Sequence, residues 1–222
     1  MSDTGFLHRY FLNNGENRLH KWVHYFDIYE RHFAQYRDRP IKMLEIGVFG
    51  GGSLRMWRDY FAKGSTIVGI DINPECKQYE AENIDIHIGS QDDPEFLMKV
   101  AKQYGGFDII LDDGSHINKH VITSFETLYD QVAQDGVYFI EDMHTSYWSK
   151  WGGKLHGKDT FIEFAKAKID ELNATHVRGD FPVTEFTQST DSIAFYDSIV
   201  VFEKRPQGKR QHVITIAMPE TK

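Results

Sequence analysis

The sequence has 222 residues, of which 41% are hydrophobic and 26% are charged, and its formal net charge at pH 7 is −8. This composition is typical of a folded α/β domain and excludes an intrinsically disordered chain. The negative charge disfavours nucleic acid as a partner, and no apolar run approaches the ~18 residues that a membrane span needs.

Residues 1–40 are polar and aromatic, and we expect them to form an N-terminal helical extension packed on the core. Residues 20–33 repeat aromatic side chains at helical spacing, and Arg39-Pro40 ends this segment because proline cannot continue a helix. Residues 41–222 are predicted to complete a single domain. The repeated aromatic residues are Trp22, Tyr25, Phe26, Tyr29 and Phe33.

From residue 41 onward, short apolar runs alternate with helical segments. Asp93 followed by Pro94 is typical of a helix start, and Gly105 is typical of the end of that helix. Thr160 resembles the first residue of a capping box. Strands are predicted over residues 41–48, 65–70, 84–88, 107–111 and 136–140, and further helices over residues 53–61, 120–132 and 161–172.

This alternation predicts an α/β fold with a Rossmann-like, doubly wound, mostly parallel sheet of about seven strands. Near the C-terminus the pattern changes, since residues 181–187 and 192–203 both have β character and the second run is broken near Asp197-Ser198. We expect an antiparallel C-terminal strand pair at one edge of the sheet. Ligands of such sheets bind beyond the carboxyl ends of the strands, so the site is sought there.

A glycine-rich turn follows the first strand. Glu45, Gly47 and Gly51 form an E-x-G-x-x-x-G pattern, and Ser53 opens the next helix. Glycine permits positive φ and close approach of a ligand to the backbone. The pattern differs from the dinucleotide turn G-x-G-x-x-G, and a carboxylate at Glu45 would repel a pyrophosphate. The same carboxylate is compatible with S-adenosylmethionine (SAM), which carries an ammonium and a sulfonium group.

Two more strand ends extend this candidate cofactor site. Asp71 ends the second strand roughly 20 residues beyond Gly47, where an acid can accept hydrogen bonds from ribose hydroxyls. The alternative is that residues 50–52 are a flexible turn and Asp71 a solvated strand end. The third strand leads to polar side chains that can contact an adenine edge: Ser90, Gln91 and Asp92. 

The segment LEIGVFGGGS (residues 44–53), followed by GIDINP (residues 69–74), resembles motifs I and II of class I SAM-dependent methyltransferases. The resemblance implies that SAM binds at the glycine-rich turn. A nucleotide-binding oxidoreductase stays as an alternative, although the glycine spacing and Glu45 argue against it.

Acidic and histidine side chains gather after the fourth and fifth strands. The tips of neighbouring strands lie ~5 Å apart, so these carboxylates must be neutralised by protons or by a cation. Oxygen ligands favour Mg²⁺, which can lower the pKa of a bound hydroxyl, and a histidine can then take the proton. The side chains are Asp112, Asp113 and His116, followed by Glu141, Asp142 and His144.

Other roles are open for three of these residues. Asp112 is expected to contact the cofactor, but either Asp112 or Asp113 could instead cap a helix or orient the loop. His144 could contact the acceptor or serve a structural role. A metal-independent enzyme that uses His116 alone is a further alternative.

DDGSH (residues 112–116) with IEDMH (residues 140–144) resembles the metal-dependent sugar O-methyltransferases of macrolide and related natural-product pathways. More loosely, it resembles the cephalosporin-hydroxylase-associated proteins. The resemblance covers roughly residues 20–145 and implies an acceptor hydroxyl on a sugar or natural-product glycoside. It implies Mg²⁺ ligands at Asp113, Glu141 and Asp142, with His116 as general base and Asp113 also catalytic. It also implies that the helix of residues 20–33 sits near the cofactor. A non-catalytic SAM-binding protein of such a pathway is the alternative.

Residues 145–159 mix aromatic side chains with glycines directly after the fifth strand. This composition suits a lid that closes over a ring-shaped acceptor, although a surface loop with core-packed tryptophans is equally compatible. The aromatic residues of the predicted lid are Tyr147, Trp148 and Trp151.

Cellular location and assembly are expectations from weaker signals. Cys76 is the single cysteine and can form no intrachain disulfide, and the N-terminus lacks the basic-then-apolar order of a signal peptide. We therefore expect a cytoplasmic protein, and by resemblance a homo-oligomer.

Overall fold

The computed structural model describes residues 5–208 and 210–215. Residues 1–4, 209 and 216–222, which fall within the two predicted regions, lie outside the described residues. The strands are β1 Lys42–Ile46, β2 Thr66–Asp71, β3 Ile84–Ile88, β4 Phe107–Asp112, β5 Val132–Ile140, β6 Thr190–Tyr196 and β7 Ile199–Lys204.

Helices cover the sheet, and short 3-10 turns join several of the elements. Helix α4 begins where predicted, because the Asp93 side chain accepts hydrogen bonds from two backbone amides of its first turn. None of the described helices is long and apolar enough to cross a membrane. The helices are α1 Phe6–Asn13, α2 Tyr25–Phe33, α3 Gly52–Tyr60, α4 Pro94–Tyr104, α5 Asn118–Leu128, α6 Phe161–Leu172 and α7 Glu185–Ser189.

The seven strands form one sheet in the order β3-β2-β1-β4-β5-β7-β6. The first five strands are parallel, and β7 pairs antiparallel with both β5 and β6. The predicted fold class is therefore confirmed. Strand order reverses between β1 and β4, where Ile46 pairs with Asp112. The loops after these two strands consequently flank the point at which open α/β sheets bind ligands.

The apolar core lies on both faces of the sheet. Along β1, Met43 packs with α2 and α3 on one face, whereas Leu44 packs with α4 and α5 on the other. Both side chains are fully buried, as expected for a central parallel strand. Burial of each such side chain stabilises the fold by roughly 1.5–3 kcal/mol, so the sheet is a rigid support for the loops at its edge.

The C-terminal strand pair is confirmed, but its boundaries differ from the prediction. Residues 181–187 are not a strand, since α7 begins at Glu185 and the Thr184 side chain caps it through the backbone amide of Thr187. Both strands of the pair come from the second predicted run, which turns near Ser198 at φ +66°. Side-chain capping in the first turn thus prevailed over the β propensity of the segment.

Two other boundaries were also wrong. Val132 was assigned to a helix but begins β5, because α5 ends earlier and Val132 pairs with Phe107 beyond a break in the register. The predicted helix over residues 20–33 begins only at Tyr25. The residues before Tyr25 run over the glycine-rich turn, where the amide of Gly52 donates to the carbonyl of Arg18. 

Two features of the outer helices were not foreseen. Helix α1 lies in the region predicted as a helical extension, although no helix was assigned to its own residues, and it packs on both α2 and α3. Helix α6 has the predicted bounds and is capped by Thr160, and it buries Phe161 and Ala165 but leaves Ile169 exposed.

Candidate active site

The glycine-rich turn approaches the loop after β4 so closely that it requires glycine. Gly47 has φ +98°, and a Cβ atom on it would clash with the carbonyl oxygen of Asp113. Gly51 lies at the N-terminus of α3 with φ +71°, against the ring of Tyr79. Both glycines predicted from the pattern are thus needed for the local backbone. 

Asp71 organises this turn from the tip of β2. One carboxylate oxygen accepts hydrogen bonds from the amides of Val48 and Phe49, at 2.9 and 3.1 Å. The other accepts from the amide of Asn73 at 2.8 Å. Asp71 also lines two cavities on either side of the turn. Its position fits the predicted ribose contact and adds a structural role in the turn.

The smaller of these two cavities, about 340 Å³, lies beyond β2 and β3. Ser90 and Gln91 line it beside the apolar side chains of Ile70 and Ile72. Asp92 does not line it, because its carboxylate faces His120 at 3.5 Å. The cavity combines an apolar wall with polar groups at one end, as a purine pocket requires.

Asp112 lies behind this cavity and lines none of the cavities described here, so the expected direct cofactor contact is not seen. Its buried carboxylate accepts from the hydroxyl of Ser124 at 2.5 Å and from the amide of Gln91 at 3.1 Å. Burial raises the pKa of Asp112 to about 6, against the opposing effect of these hydrogen bonds. Gln91 in turn accepts from the amide of Ser115, so Asp112 orients the loop, as one alternative held.

Glu45 and Ser53 lie beneath the turn. The buried carboxylate of Glu45 accepts from the indole of Trp57 at 3.2 Å, while its other oxygen makes no hydrogen bond. Burial raises the pKa of Glu45 to about 7, although the charge of Lys21 opposes the shift. Ser53 lines a cavity of about 40 Å³ next to Gly47. The oxygen without a hydrogen bond lies 3.5 Å from the ammonium of Lys21, so the negative charge beneath the glycine-rich turn already faces a cation.

The second large cavity, about 410 Å³, holds the acidic residues at the tips of β4 and β5. The ligand atoms of Asp113, His116 and Asp142 lie within 4.8 Å of one another. Nε2 of His116 lies 3.6 Å from a carboxylate oxygen of Asp142 and 3.9 Å from one of Asp113. Two carboxylates and an imidazole converging in this way fit a hard divalent cation such as Mg²⁺.

Glu141, the third predicted ligand, lines the same cavity but is held from behind. Its carboxylate accepts from the hydroxyl of Tyr29 at 2.5 Å and from the ammonium of Lys21 at 3.0 and 3.1 Å. Burial and then the charge of Asp113 raise the pKa of Glu141 well above its ordinary value, whereas Lys21 and Tyr29 lower it. The structure therefore groups Glu141 with buried partners rather than with the open ligand atoms.

Three functional residues escaped the sequence analysis, and all lie before or within α2. Lys21 contacts Asp113 and Glu141, while Tyr25 and Tyr29, one helical turn apart, donate to Asp142 and Glu141. The resemblance implied that the helix of residues 20–33 lies near the cofactor, but it gave no role to these three residues. The signal that could have revealed them is the number of acidic residues predicted at one site, because so many carboxylates need a cation and hydroxyl donors nearby.

The backbone is strained at two of the three residues that converge in this cavity. His116 has φ +58° and Asp142 has φ +55°, a region that costs a residue other than glycine on the order of 1–3 kcal/mol. Phe49, which lines the same cavity, has φ +51°. Strain of this kind persists only where the surrounding structure enforces it, which supports a functional role for this cavity.

The predicted lid residues lie outside the cavity lining, next to its rim. Nδ1 of His144 lies 2.5 Å from the hydroxyl of Ser198, and its ring contacts Trp148 and Trp22, with ring centres at 4.5 and 6.0 Å. Trp148 is 47% exposed and Tyr147 50% exposed, so neither is a core side chain. Trp151 is half-buried against Trp148 at 5.4 Å between ring centres.

Comparisons with known sequences agree with this geometry. A family model described as a methyltransferase domain matches residues 44–143. Mycinamicin VI 2''-O-methyltransferase of Micromonospora griseorubida is 43% identical over 162 residues, covering 68% of this chain and 40% of the relative. A tetracenomycin-C rhamnosyl 3'-O-methyltransferase of Streptomyces olivaceus is 35% identical over 216 residues, covering 91% of this chain and 55% of the relative.

A similar solved structure is MycE methyltransferase of the mycinamycin pathway in complex with Mg, SAH and mycinamycin VI. It superposes with a TM-score of 0.79 at 34% identity, over 90% of this chain and 53% of that chain. The chain therefore spans about half the length of the relatives that it matches.

Proposed function

Since this chain belongs to the class I methyltransferase family, we propose that it methylates a hydroxyl group of a small acceptor, with SAM as the methyl donor. The observation that carries the proposal is the convergence of Asp113, His116 and Asp142 on one cavity beside the Gly47 turn. The pocket proposed for the methyl donor and the proposed base therefore lie next to each other. 

The donor would be held at the carboxyl ends of β1, β2 and β3. Ser90 and Gln91 line the pocket for the adenine ring, and Asp71 lies between the two large cavities, where the ribose would sit. Glu45 lies beneath the turn, where its hydrogen bond with the indole of Trp57 supports the backbone that would receive the cationic end of the donor. When bound, SAM supplies an electrophilic methyl group on its sulfonium.

Mg²⁺ would be held by Asp113 and Asp142, with Glu141 adjacent as the third candidate ligand. When bound, this ion supplies positive charge that lowers the pKa of an acceptor hydroxyl. The requirement for oxygen ligands is met by the two open carboxylates, and Tyr25 orients one of them through a 2.6 Å hydrogen bond to Asp142.

His116 is the proposed general base. Its Nε2 lies 3.6 Å from a carboxylate oxygen of Asp142 and 3.9 Å from one of Asp113. These carboxylates would stabilise the proton that Nε2 takes from the acceptor hydroxyl. General-base assistance of this kind is worth roughly 10²–10⁴-fold in rate. The strained backbone at His116 keeps the imidazole at the cavity instead of in solvent.

Two observations support a class of acceptor: the aromatic side chains at the rim of the acidic cavity, and the substrates named for the relatives. Trp22, Phe49 and Trp148 are large exposed aromatic side chains around the acidic cavity. Aromatic faces of this kind pack on the apolar face of a sugar ring and leave its hydroxyls free to reach the acids. The relatives named above methylate sugar hydroxyls of macrolide and polyketide glycosides, so we propose a glycoside as the acceptor.

The proposal is tested by following S-adenosylhomocysteine release with a panel of glycosides and catechols, with Mg²⁺ or with EDTA. We expect turnover of a glycoside that EDTA abolishes and Mg²⁺ restores. Asp142→Asn should lose this turnover while retaining SAM binding in calorimetry, whereas Asp180→Asn, an exposed control, should behave as the wild type. Turnover insensitive to EDTA would favour a metal-independent enzyme, and tight SAM binding without any turnover would favour a non-catalytic protein.

We also propose that the protein works as a homo-oligomer. Light scattering coupled to gel filtration gives the mass directly, and a mass equal to one chain would reject the proposal.

A further inference from the structure

Lys21 lies at the centre of the acidic site, although it is not among the candidate ligands. Its ammonium lies 2.5 Å from Asp113, 3.0 Å from Glu141 and 3.5 Å from Glu45, and its side chain is 2% exposed. These distances are those of ion pairs, so the ammonium is surrounded by carboxylates from three different elements of the fold. Lys21 therefore carries a positive charge inside the cluster.

The segment that carries Lys21 is fastened to the glycine-rich turn, and we call residues 17–22 the strap. The carbonyl of Arg18 accepts from the amide of Gly52 at 3.2 Å, and its guanidinium lies 4.8 Å from the ring centre of Phe49. A Cβ atom on Gly52 would clash with the strap backbone. The strap thus closes the small cavity between Gly47 and Ser53.

A second cation cannot join this cluster without a cost. The Lys21 ammonium already uses both carboxylate oxygens of Glu141 and one of Asp113, the same groups that a divalent cation would need. Two cations that share buried carboxylates repel each other strongly, because few waters screen them. The Lys21 side chain has hardly any exposed surface, so displacing its ammonium either moves the strap residues packed around it or turns the side chain into the 410 Å³ cavity that it lines.

We infer that Lys21 and a divalent cation compete for the carboxylates of Asp113 and Glu141, so that cation binding is coupled to release of the strap from the glycine-rich turn. The inference rests on the proposed function, because it assumes a divalent cation at this site. Lys21 is then a positioning residue. Without the Lys21 ammonium, the carboxylates of Asp113 and Glu141 would be open to the cation. With it, the affinity for the cation depends on the position of the strap. By linkage, the strap is then also a determinant of access to the donor pocket.

Calorimetric titration of Mg²⁺ into the wild type and Lys21→Met tests the competition. We expect Lys21→Met to bind Mg²⁺ roughly ten-fold more tightly, within the usual range for coupled sites. Lys204→Met is the matched control, because Lys204 is also buried but contacts the carbonyls of Tyr129 and Val132 and the ring of Tyr129, away from the acidic site. It should bind Mg²⁺ as the wild type does.

Tryptophan fluorescence reports the strap, since Trp22 is its last residue. Mg²⁺ should change the emission of the wild type, and the change should be lost in Trp22→Phe. Should Lys21→Met fail to fold without Mg²⁺, Lys21→Arg keeps the charge and should bind Mg²⁺ no more tightly than the wild type. Equal or weaker Mg²⁺ binding by Lys21→Met, with normal binding by the wild type, overturns the competition alone. No Mg²⁺ binding by any variant overturns both the competition and the proposed metal site.

Discussion

The hydroxyl of Tyr29 donates to the carboxylate of Glu141 at 2.5 Å, and both side chains are buried. This bond joins α2 to the tip of β5, so a helix from the N-terminal forty residues fixes part of the acidic site. The adjacent turn of α2 repeats the arrangement, with Tyr25 donating to Asp142. Helix α2 is accordingly part of the site and not only a cover for the core.

Tyr29→Phe should destabilise the fold and weaken Mg²⁺ binding, because it leaves the buried carboxylate of Glu141 with one donor fewer. A lost hydrogen bond to a charged group costs roughly 1.5–3 kcal/mol, which urea unfolding would measure. Tyr36→Phe is the control, since Tyr36 is also buried but donates to the carbonyl of Asp135, far from the acids. Unchanged Mg²⁺ affinity in Tyr29→Phe would refute the positioning role of α2.

Gly47→Ala should abolish SAM binding and destabilise the fold. The added Cβ meets the carbonyl of Asp113, and the φ of +98° is unfavourable for alanine. Gly152→Ala separates these two effects, because Gly152 also has positive φ but nothing lies within 4 Å of its Cβ position. The control should lose about 1 kcal/mol and keep SAM binding. Calorimetry with SAM that gave equal affinities for both variants would contradict the close approach.

His116→Gln should reduce the rate of methyl transfer by roughly 10²–10⁴-fold, the usual contribution of a general base. SAM affinity should change little, since the side chain faces the acids and not the purine cavity. The matched control is His156→Gln on the exposed loop, where the imidazole contacts only Glu163. Turnover of the two variants, measured at saturating SAM, must differ if His116 takes the proton.

Asp112→Asn should change how stability depends on pH. The pKa of Asp112 is raised to about 6 in the folded protein, so between the unfolded value and this one the folded state holds the extra proton. Stability therefore falls as pH rises through this window, by on the order of 3 kcal/mol for a two-unit shift. The variant lacks this loss.

Urea unfolding at intervals from pH 4 to 7 would follow the difference between the two proteins. We expect the free energy of unfolding of Asp112→Asn to increase relative to that of the wild type as pH rises. A constant difference across the range would mean that the carboxyl does not titrate there.

Local patterns predicted the strands, the glycine-rich turn and the two acidic loops, because each depends on residues close together in sequence. Gly47 and Asp71 could be assigned for this reason, since topology alone brings the first two strand tips together. Lys21 could not, because its partners lie about a hundred residues away in sequence.

The acidic site shows where such reasoning stops. Asp112 and Asp113 are adjacent in sequence and equal in chemistry, yet Asp112 is buried as the last residue of β4, whereas Asp113 follows the strand and lines the cavity. Which of the two faces the cavity depends on the register between β4 and β1, which the sequence does not specify. The role of Thr184 as a helix cap likewise depends on packing that sequence patterns do not specify.

The hairpin turn at Ser198 lies far along the chain from the acids, yet its carbonyl accepts from the amide of Met143 and its hydroxyl contacts His144. The neighbouring carbonyl of Asp197 lies 3.3 Å from the imidazole of His24. Residues 197–198 therefore form a hub where three distant parts of the chain meet at the rim. We expect substitutions in this two-residue hub to shift the rim residues that it holds and to leave the purine cavity unchanged.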